Sequence, residues 1–431
     1  MVIRKVLNNN IRVVMEPMKN FVSVSIGVWI DAGSANESVK NNGVAHVVEH
    51  MLFKGTQKRS AREIADEMTA LGDHLDAYTS KECTCYYTKT LGEYAYPALE
   101  IIADMVKNAK LDEQDLQKEL GIILDEIDMY EDDADELVHE LLQKRVWQDH
   151  PLGYIISGEK EVVRNFSVET VRSFMRSYYN GNHILISVAG NFKPDEMLSY
   201  INELFGGLPA GRPYALAKPP IYRQSIVCRH KDIEQMHLDL AFDGIPYEHE
   251  DKYVMGVVNS ILGGNVNSRL FQEVREEKGL AYTVYSYGSS FKQCGLFQIY
   301  AAMAPEQTPK VLDAILSAIH KMSAEPVPER ELTLTKRQIK TELLMSVEST
   351  HDRMESNAKT WLYNEKQETI EETAAHVSAV TGEDISSFMN KYMQLDRLSA
   401  AFIGNFSGMD IDGVNDILKK WQIPLECREE R

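Results

Sequence analysis

No segment of this 431-residue chain approaches the roughly 18 consecutive apolar residues of a membrane-spanning helix, which argues against a helical membrane protein. The opening stretch, Met1 to Asn10, also lacks the uninterrupted apolar run of a secretory signal, so the chain reads as cytoplasmic. Basic charge is in deficit. Against 65 Asp and Glu stand 46 Lys and Arg, a formal net charge of -19, which argues against a phosphate backbone as partner and so against nucleic acid. Cysteine is scarce: the five at positions 83, 85, 228, 294 and 427 are odd in number and scattered. That pattern indicates reduced thiols and no disulfide framework. Cys83 and Cys85 share a face of one strand, but no second pair completes a metal site, so they read as core packing. Low-complexity tracts are missing too. With 44% hydrophobic and 26% charged residues the composition is that of a globular protein, and the length calls for two or more domains.

What is present is a degenerate internal repeat. The stretch Ser173-Phe174-Met175-Arg176-Ser177-Tyr178 returns as Ser387-Phe388-Met389-Asn390-Lys391-Tyr392, an offset of 387 - 173 = 214. After each copy an apolar strand ends in Gly-Asn-Phe, at Gly190-Asn191-Phe192 and again at Gly404-Asn405-Phe406. At an offset of 210, Val44 to Leu52 lies over Val254 to Leu262 with the apolar positions kept, while His46, Glu49 and His50 become Gly256, Asn259 and Ser260. Two homologous domains that share a helix packing face, only the first keeping polar chemistry, give this pattern. The Pro- and Gly-rich stretch between the copies reads as a linker. The expected division is 1–208, a linker at 209–222, and 223–431. Val22 to Ile30 alternates as a strand, residues 41–55 read as a helix, and Ser60 as the N-cap of a helix running to Leu71. Two strands follow at Leu75 to Ser80 and Thr84 to Thr88, and 94–148 is mostly helical, so each half is an α+β layer arrangement.

The chemistry sits in His46-Val47-Val48-Glu49-His50. Residues four apart share a helix face, so His46 and His50 can aim their imidazoles at one tetrahedral cation. Glu49 overlaps that face, where a carboxylate can take the proton of a water activated by the metal. A third ligand should come from a separate element. The helix around Glu119 to Ile127 offers Glu119 and Glu126, two turns apart, amid apolar Ile123, Leu124 and Ile127, where an unpaired carboxylate is costly.

His46-x-x-Glu49-His50 followed after 76 residues (126 - 50) by Glu126 resembles the pitrilysin-type (M16) zinc metallopeptidase family, which includes mitochondrial processing peptidase and insulin-degrading enzyme. The resemblance covers the whole chain. It implies one zinc per chain held by His46, His50 and Glu126, Glu49 as general base, and a supporting role for Glu119. In the second half, Arg275 and Tyr282 match the family's substrate-contacting Arg and Tyr seven apart, which implies an Arg donating to a peptide carbonyl and a Tyr to the developing oxyanion. The resemblance also implies that peptide enters as a strand added at Asp76 to Ser80, making Ala77, Tyr78 and Thr79 substrate-binding residues. Phe53, three residues after His50, is a candidate wall of the pocket beyond the scissile bond.

The fold implied is two homologous domains, each a mostly antiparallel sheet packed by helices, together a pitrilysin/LuxS-type half-clamshell. Large family members carry four such domains; with two, this chain is expected to pair as a homodimer that closes a chamber around short or unstructured peptides. The acidic balance favours basic peptides. The rival reading is a catalytically silent scaffold of the same fold.

Overall fold

The computed structural model describes residues 2–72, 75–213, 218–363 and 366–427. It contains two sheets of like construction. The first orders β1 (Ile3–Val6), β2 (Arg12–Pro17), β3 (Ser23–Ile30), β4 (Leu75–Thr79), β5 (Thr84–Leu91) and β6 (Ile184–Gly190) as β1-β2-β6-β3-β5-β4. The second orders β7 (Ile226–His230), β8 (Met236–Asp243), β9 (Thr283–Ser290), β10 (Gly295–Met303) and β11 (Ser399–Gly404) as β7-β11-β8-β10-β9. Each contains one parallel pair, β2 with β6 and β7 with β11, and is otherwise antiparallel. This is the mostly antiparallel α+β arrangement expected. Among the described residues no helix is long and apolar enough to cross a membrane.

The period-2 pattern of β3 decides what covers each face. Val24, Ile26, Val28 and Ile30 enter one core, shared with the helix Val44–Leu52. Ser25, Gly27 and Trp29 face the other way. There Trp29 joins Cys83, Cys85, Met354, Ala358 and Leu362 in a second cluster, and Ser25 Oγ lies 3.0 Å from Thr350 Oγ1. Gly27 is required: a Cβ on it would stand 2.3 Å from the Trp29 ring. The cysteine pair 83 and 85 is therefore core packing, as its spacing suggested. Gly190 and Gly404, the repeated strand ends, both have positive φ (132° and 157°). A Cβ at Gly190 would approach Ser23 O to 2.3 Å and one at Gly404 would approach Gln235 O to 2.8 Å, so the repeat preserves a backbone crossing.

The compact units are not the two sequential halves. One comprises Met1–Met129, His150–Lys218 and Met345–Gln367; the other Tyr130–Asp149, Pro219–Leu344 and Glu368–Arg431. Each sheet is thus backed by a helix from the opposite half of the sequence, Thr350–Tyr363 in the first unit and Ala134–Val146 in the second. A boundary drawn at 209–222 cannot capture this, because the repeat marks ancestry and not packing. Residues 214–217 of that stretch lie outside the described residues.

Candidate metal centre

The motif helix spans Val44–Leu52. Its apolar positions Val44, Ala45, Val47, Val48, Met51 and Leu52 are buried, which leaves His46, Glu49 and His50 on the remaining face. Gly43 caps it at φ 98°, where a Cβ would stand 2.8 Å from Ser157 O. The first turn is held by Glu37, a buried carboxylate that accepts from Gly43 N at 2.7 Å, Ala45 N at 2.8 Å and Asn42 Nδ2 at 2.9 Å. An anion at a helix N-terminus also meets the positive end of the dipole. Sequence reasoning missed Glu37, although an acidic residue shortly before a helix start is a signal that could have found it.

Glu119 and Glu126 stand on the helix Glu113–Asp132, anchored by buried Leu116, Leu120, Ile123 and Ile127. Seven residues apart, they share its face towards the motif helix. Ligand atoms of His46, His50 and Glu126 all lie within 4.8 Å of one another, and among the described residues this is the one such group of His, Cys, Asp or Glu suited to a metal. Glu126 Oε2 is 3.5 Å from His50 Nε2 and 3.9 Å from His46 Nε2. The two rings meet edge to face with centroids 4.6 Å apart.

These groups fit a zinc ion. Two imidazoles and a carboxylate are its ordinary donors, and three protein donors leave a coordination position open, as catalytic sites do. Burial, reinforced by the neighbouring His50, pushes the His46 pKa down to about 4, so its imidazole is neutral at pH 7 and can ligate. His46 Nδ1 is buried with no hydrogen-bond partner among the described residues, so none of them competes for orientation of the ring. His50 Nδ1 lies 3.2 Å from Glu119 Oε2; donation there leaves the Nε2 lone pair facing Glu126. Glu119 is itself only 4% exposed and is neutralised by Lys54 Nζ at 2.7 Å from its Oε1.

Glu49 is held from another element. Thr79 Oγ1, at the end of β4, donates to Glu49 Oε2 at 2.5 Å. Burial pushes the Glu49 carboxyl above its usual range, Thr79 and His50 pull it down, and Glu126 adds a smaller upward push. Among the described residues β4 is a terminal strand of its sheet, so one edge of its backbone has no strand partner. The expected substrate-binding residues part company by side chain. Ala77 packs on the core shared with the motif helix, as does Phe53, whose ring centroid is 6.5 Å from that of Tyr86. Tyr78 points to the opposite face, accepting from Trp29 Nε1 at 3.3 Å and donating to Glu355 at 3.4 Å, so it can offer a ligand only its backbone. In the second unit, Arg275 lies in the π-helical turn Phe271–Glu277 with its guanidinium 4.8 Å from the Phe271 ring, and Tyr282 is 60% exposed.

The second unit also holds the counterpart of the motif. The helix Lys252–Leu262 carries Asn259 and Ser260, and the helix Glu329–Ser346 buries Leu332 and Thr335 as Glu113–Asp132 buries Leu116 and Glu119. Ser260, Thr335 and Glu342 line a cavity of about 690 Å³. A hydroxyl thus stands where Glu119 does, another where His50 does, and Asn259 accepts from Ser286 Oγ at 2.8 Å. Such a donor set is poor in the imidazole that zinc takes.

Residues 12–160 match the family model described as Insulinase (Peptidase family M16), and residues 165–339 that of the Peptidase M16 inactive domain. An uncharacterized zinc protease of Bacillus subtilis, YmxG, is 39% identical over 397 residues, 92% of this chain and 97% of the relative. An uncharacterized zinc protease of Streptomyces coelicolor is 33% identical over 393 residues, 89% of this chain and 85% of that one. In fold, the chain is similar to the crystal structure of a peptidase M16 inactive domain from Pseudomonas fluorescens, with a TM-score of 0.89 at 21% identity, over 95% of this chain and 99% of the other. With both family domains in order along the chain, and relatives named zinc proteases aligned over nearly their whole lengths, this protein belongs to the pitrilysin-type M16 peptidase family.

Proposed function

We propose that this protein is an endopeptidase that uses one zinc ion per chain, held by His46, His50 and Glu126, to cleave short or unstructured peptides. The observation that carries this reading is the convergence of those three donors within 4.8 Å, with Glu49 on the same helix face held by Thr79. The chemistry the ion supplies when bound is Lewis acidity, which polarises a carbonyl and makes water a nucleophile near neutral pH. Glu49 takes the proton that the attacking water gives up and passes it to the leaving amine. Its raised pKa suits the first task, since a stronger base takes that proton more readily. Glu119 keeps His50 turned to the site. The open edge of β4 takes the peptide as an added strand, so backbone pairing supplies affinity with little demand on sequence.

In this reading the working form is a homodimer in which Arg275 and Tyr282 of a second copy donate to the peptide carbonyl and the developing oxyanion. The surplus of acidic residues favours basic peptides, and the compartment is the cytoplasm.

A quenched fluorescent peptide library tests the reaction. The zinc-loaded chain should cleave it, and Glu49→Gln should keep its zinc while losing about 10²- to 10⁴-fold in turnover. Cleavage that survives in Glu49→Gln sinks the mechanism; no cleavage by the zinc-loaded wild type points to a silent scaffold of the same fold. The dimer is tested by mixing two inactive variants, Glu49→Gln and Arg275→Ala. Mixed dimers hold one intact site each, so about a quarter of the wild-type rate should return. A fully active monomer in sedimentation overturns the shared site.

A further inference from the structure

Far from the metal motif in sequence, the second unit brings two thiols together. Cys228 lies on β7, paired with Phe402 of β11 at the edge of its sheet, and Cys427 follows the helix Ile411–Lys420. They are 199 residues apart in sequence, yet their Sγ atoms are 2.7 Å apart. Both are 1% exposed and belong to the core of that unit.

The approach is built by the surrounding structure. Asn415, on the helix Ile411–Lys420, grips the Cys427 peptide on both sides: its Oδ1 accepts from Cys427 N at 2.8 Å and its Nδ2 donates to Cys427 O at 3.2 Å. Between them the chain turns back at Gln422, at φ 59°, and Ile423 N donates to Leu418 O at 2.9 Å. Asn415 and this turn thereby bring Cys427 against Cys228 of β7, although the segment Gln422–Cys427 is itself neither helix nor strand beyond its first turn.

We propose that Cys228 and Cys427 are a reversible redox pair whose disulfide latches the segment Gln422–Cys427 to the edge strand of the second sheet. A low-molecular-weight disulfide such as oxidised glutathione is the co-reactant. One protein thiolate attacks it and expels a first glutathione thiol; the second protein thiolate then displaces the other, so one disulfide forms for the one consumed, and both thiol protons end on released glutathione. Local opening of the segment admits the oxidant to buried sulfurs, since a stretch held by few hydrogen bonds opens more readily than the sheet it covers. A dithiol reverses the step. None of the five cysteines is disulfide-bonded in the structure, as expected of reduced thiols, and the proposed pair does not rest on the proposed peptidase activity.

The full chain, incubated with oxidised glutathione, acid-quenched and alkylated under denaturing conditions, decides the matter. Thiol titration should fall by two of the five, the intact mass before alkylation by two hydrogens, and peptide mapping should find Cys228 linked to Cys427. Amide exchange across 422–427 should slow by about tenfold in the oxidised form and recover with dithiothreitol. Cys427→Ser and Cys228→Ser should each abolish the mass loss and the slowed exchange. A different pairing, a stable glutathione adduct on either cysteine in place of the bond, or an unchanged thiol count overturns the proposal.

Discussion

At Glu49 burial and hydrogen bonding oppose each other, and Thr79 supplies the hydrogen bond. Thr79→Val keeps the shape of the side chain and deletes the donor. Losing a hydrogen bond to a charged partner costs about 1.5–3 kcal/mol, so turnover should fall roughly 10- to 100-fold with KM little changed, and Thr79→Ser should restore it. Steady-state kinetics on the zinc-loaded variants checks this; a loss confined to KM would make Thr79 a substrate contact only. Glu119 acts on the other histidine. Glu119→Gln should weaken zinc binding by about 10- to 100-fold, measured by chelator competition, because His50 loses a charged acceptor at Nδ1. Unchanged affinity would remove Glu119 from the site.

The motif helix as an element depends on Glu37. Burial pushes this carboxyl up from 4.5 to about 7, against the pull of Ala45 N, Asn42 Nδ2, Gly43 N and Lys81. Because the folded pKa is the higher one, the folded state holds more protons between the two values. The stability this group contributes is therefore full below about 4.5 and is lost as pH rises through about 7. At about 1.4 kcal/mol per pH unit, the loss is on the order of 3 kcal/mol. Urea unfolding of the zinc-free protein at pH 5 and pH 7.5 should show a drop in the wild type that Glu37→Gln lacks. Parallel pH dependence in the two proteins would show that Glu37 does not titrate in this window. The cap also explains why a half-buried polar face can be held still: six buried apolar side chains fix one side of the helix, and Glu37 fixes its start.

For the whole molecule, the exchange of helices between sequence halves has a direct consequence. A fragment 1–208 lacks Met354, Ala358 and Leu362, which cover Trp29 and Leu185, and lacks Arg353, whose guanidinium is paired with Glu16 at 2.9 Å. Each large apolar side chain that buries there is worth about 1.5–3 kcal/mol, and domains are stable by only about 5–15 kcal/mol. The fragment should therefore fail to unfold cooperatively and should bind apolar dyes, whereas adding the separately expressed 209–431 fragment should restore a single transition by calorimetry. Independent cooperative folding of 1–208 would show that the exchanged helix is dispensable.

Local pattern along the chain carried the two-domain α+β class, the family, the motif helix and the acidic helix. Each rests on local periodicity, or on residues a fixed number of turns apart, and helix geometry turns such spacing into position. It also exposed the duplication, because packing faces and the glycines at strand ends are kept for steric reasons. Tertiary structure alone decided which helix backs which sheet, since an apolar stripe fits any complementary face and carries no address. It alone brought Thr79 to Glu49 and Cys427 to Cys228, because those meetings are made by chain crossings that no local pattern encodes.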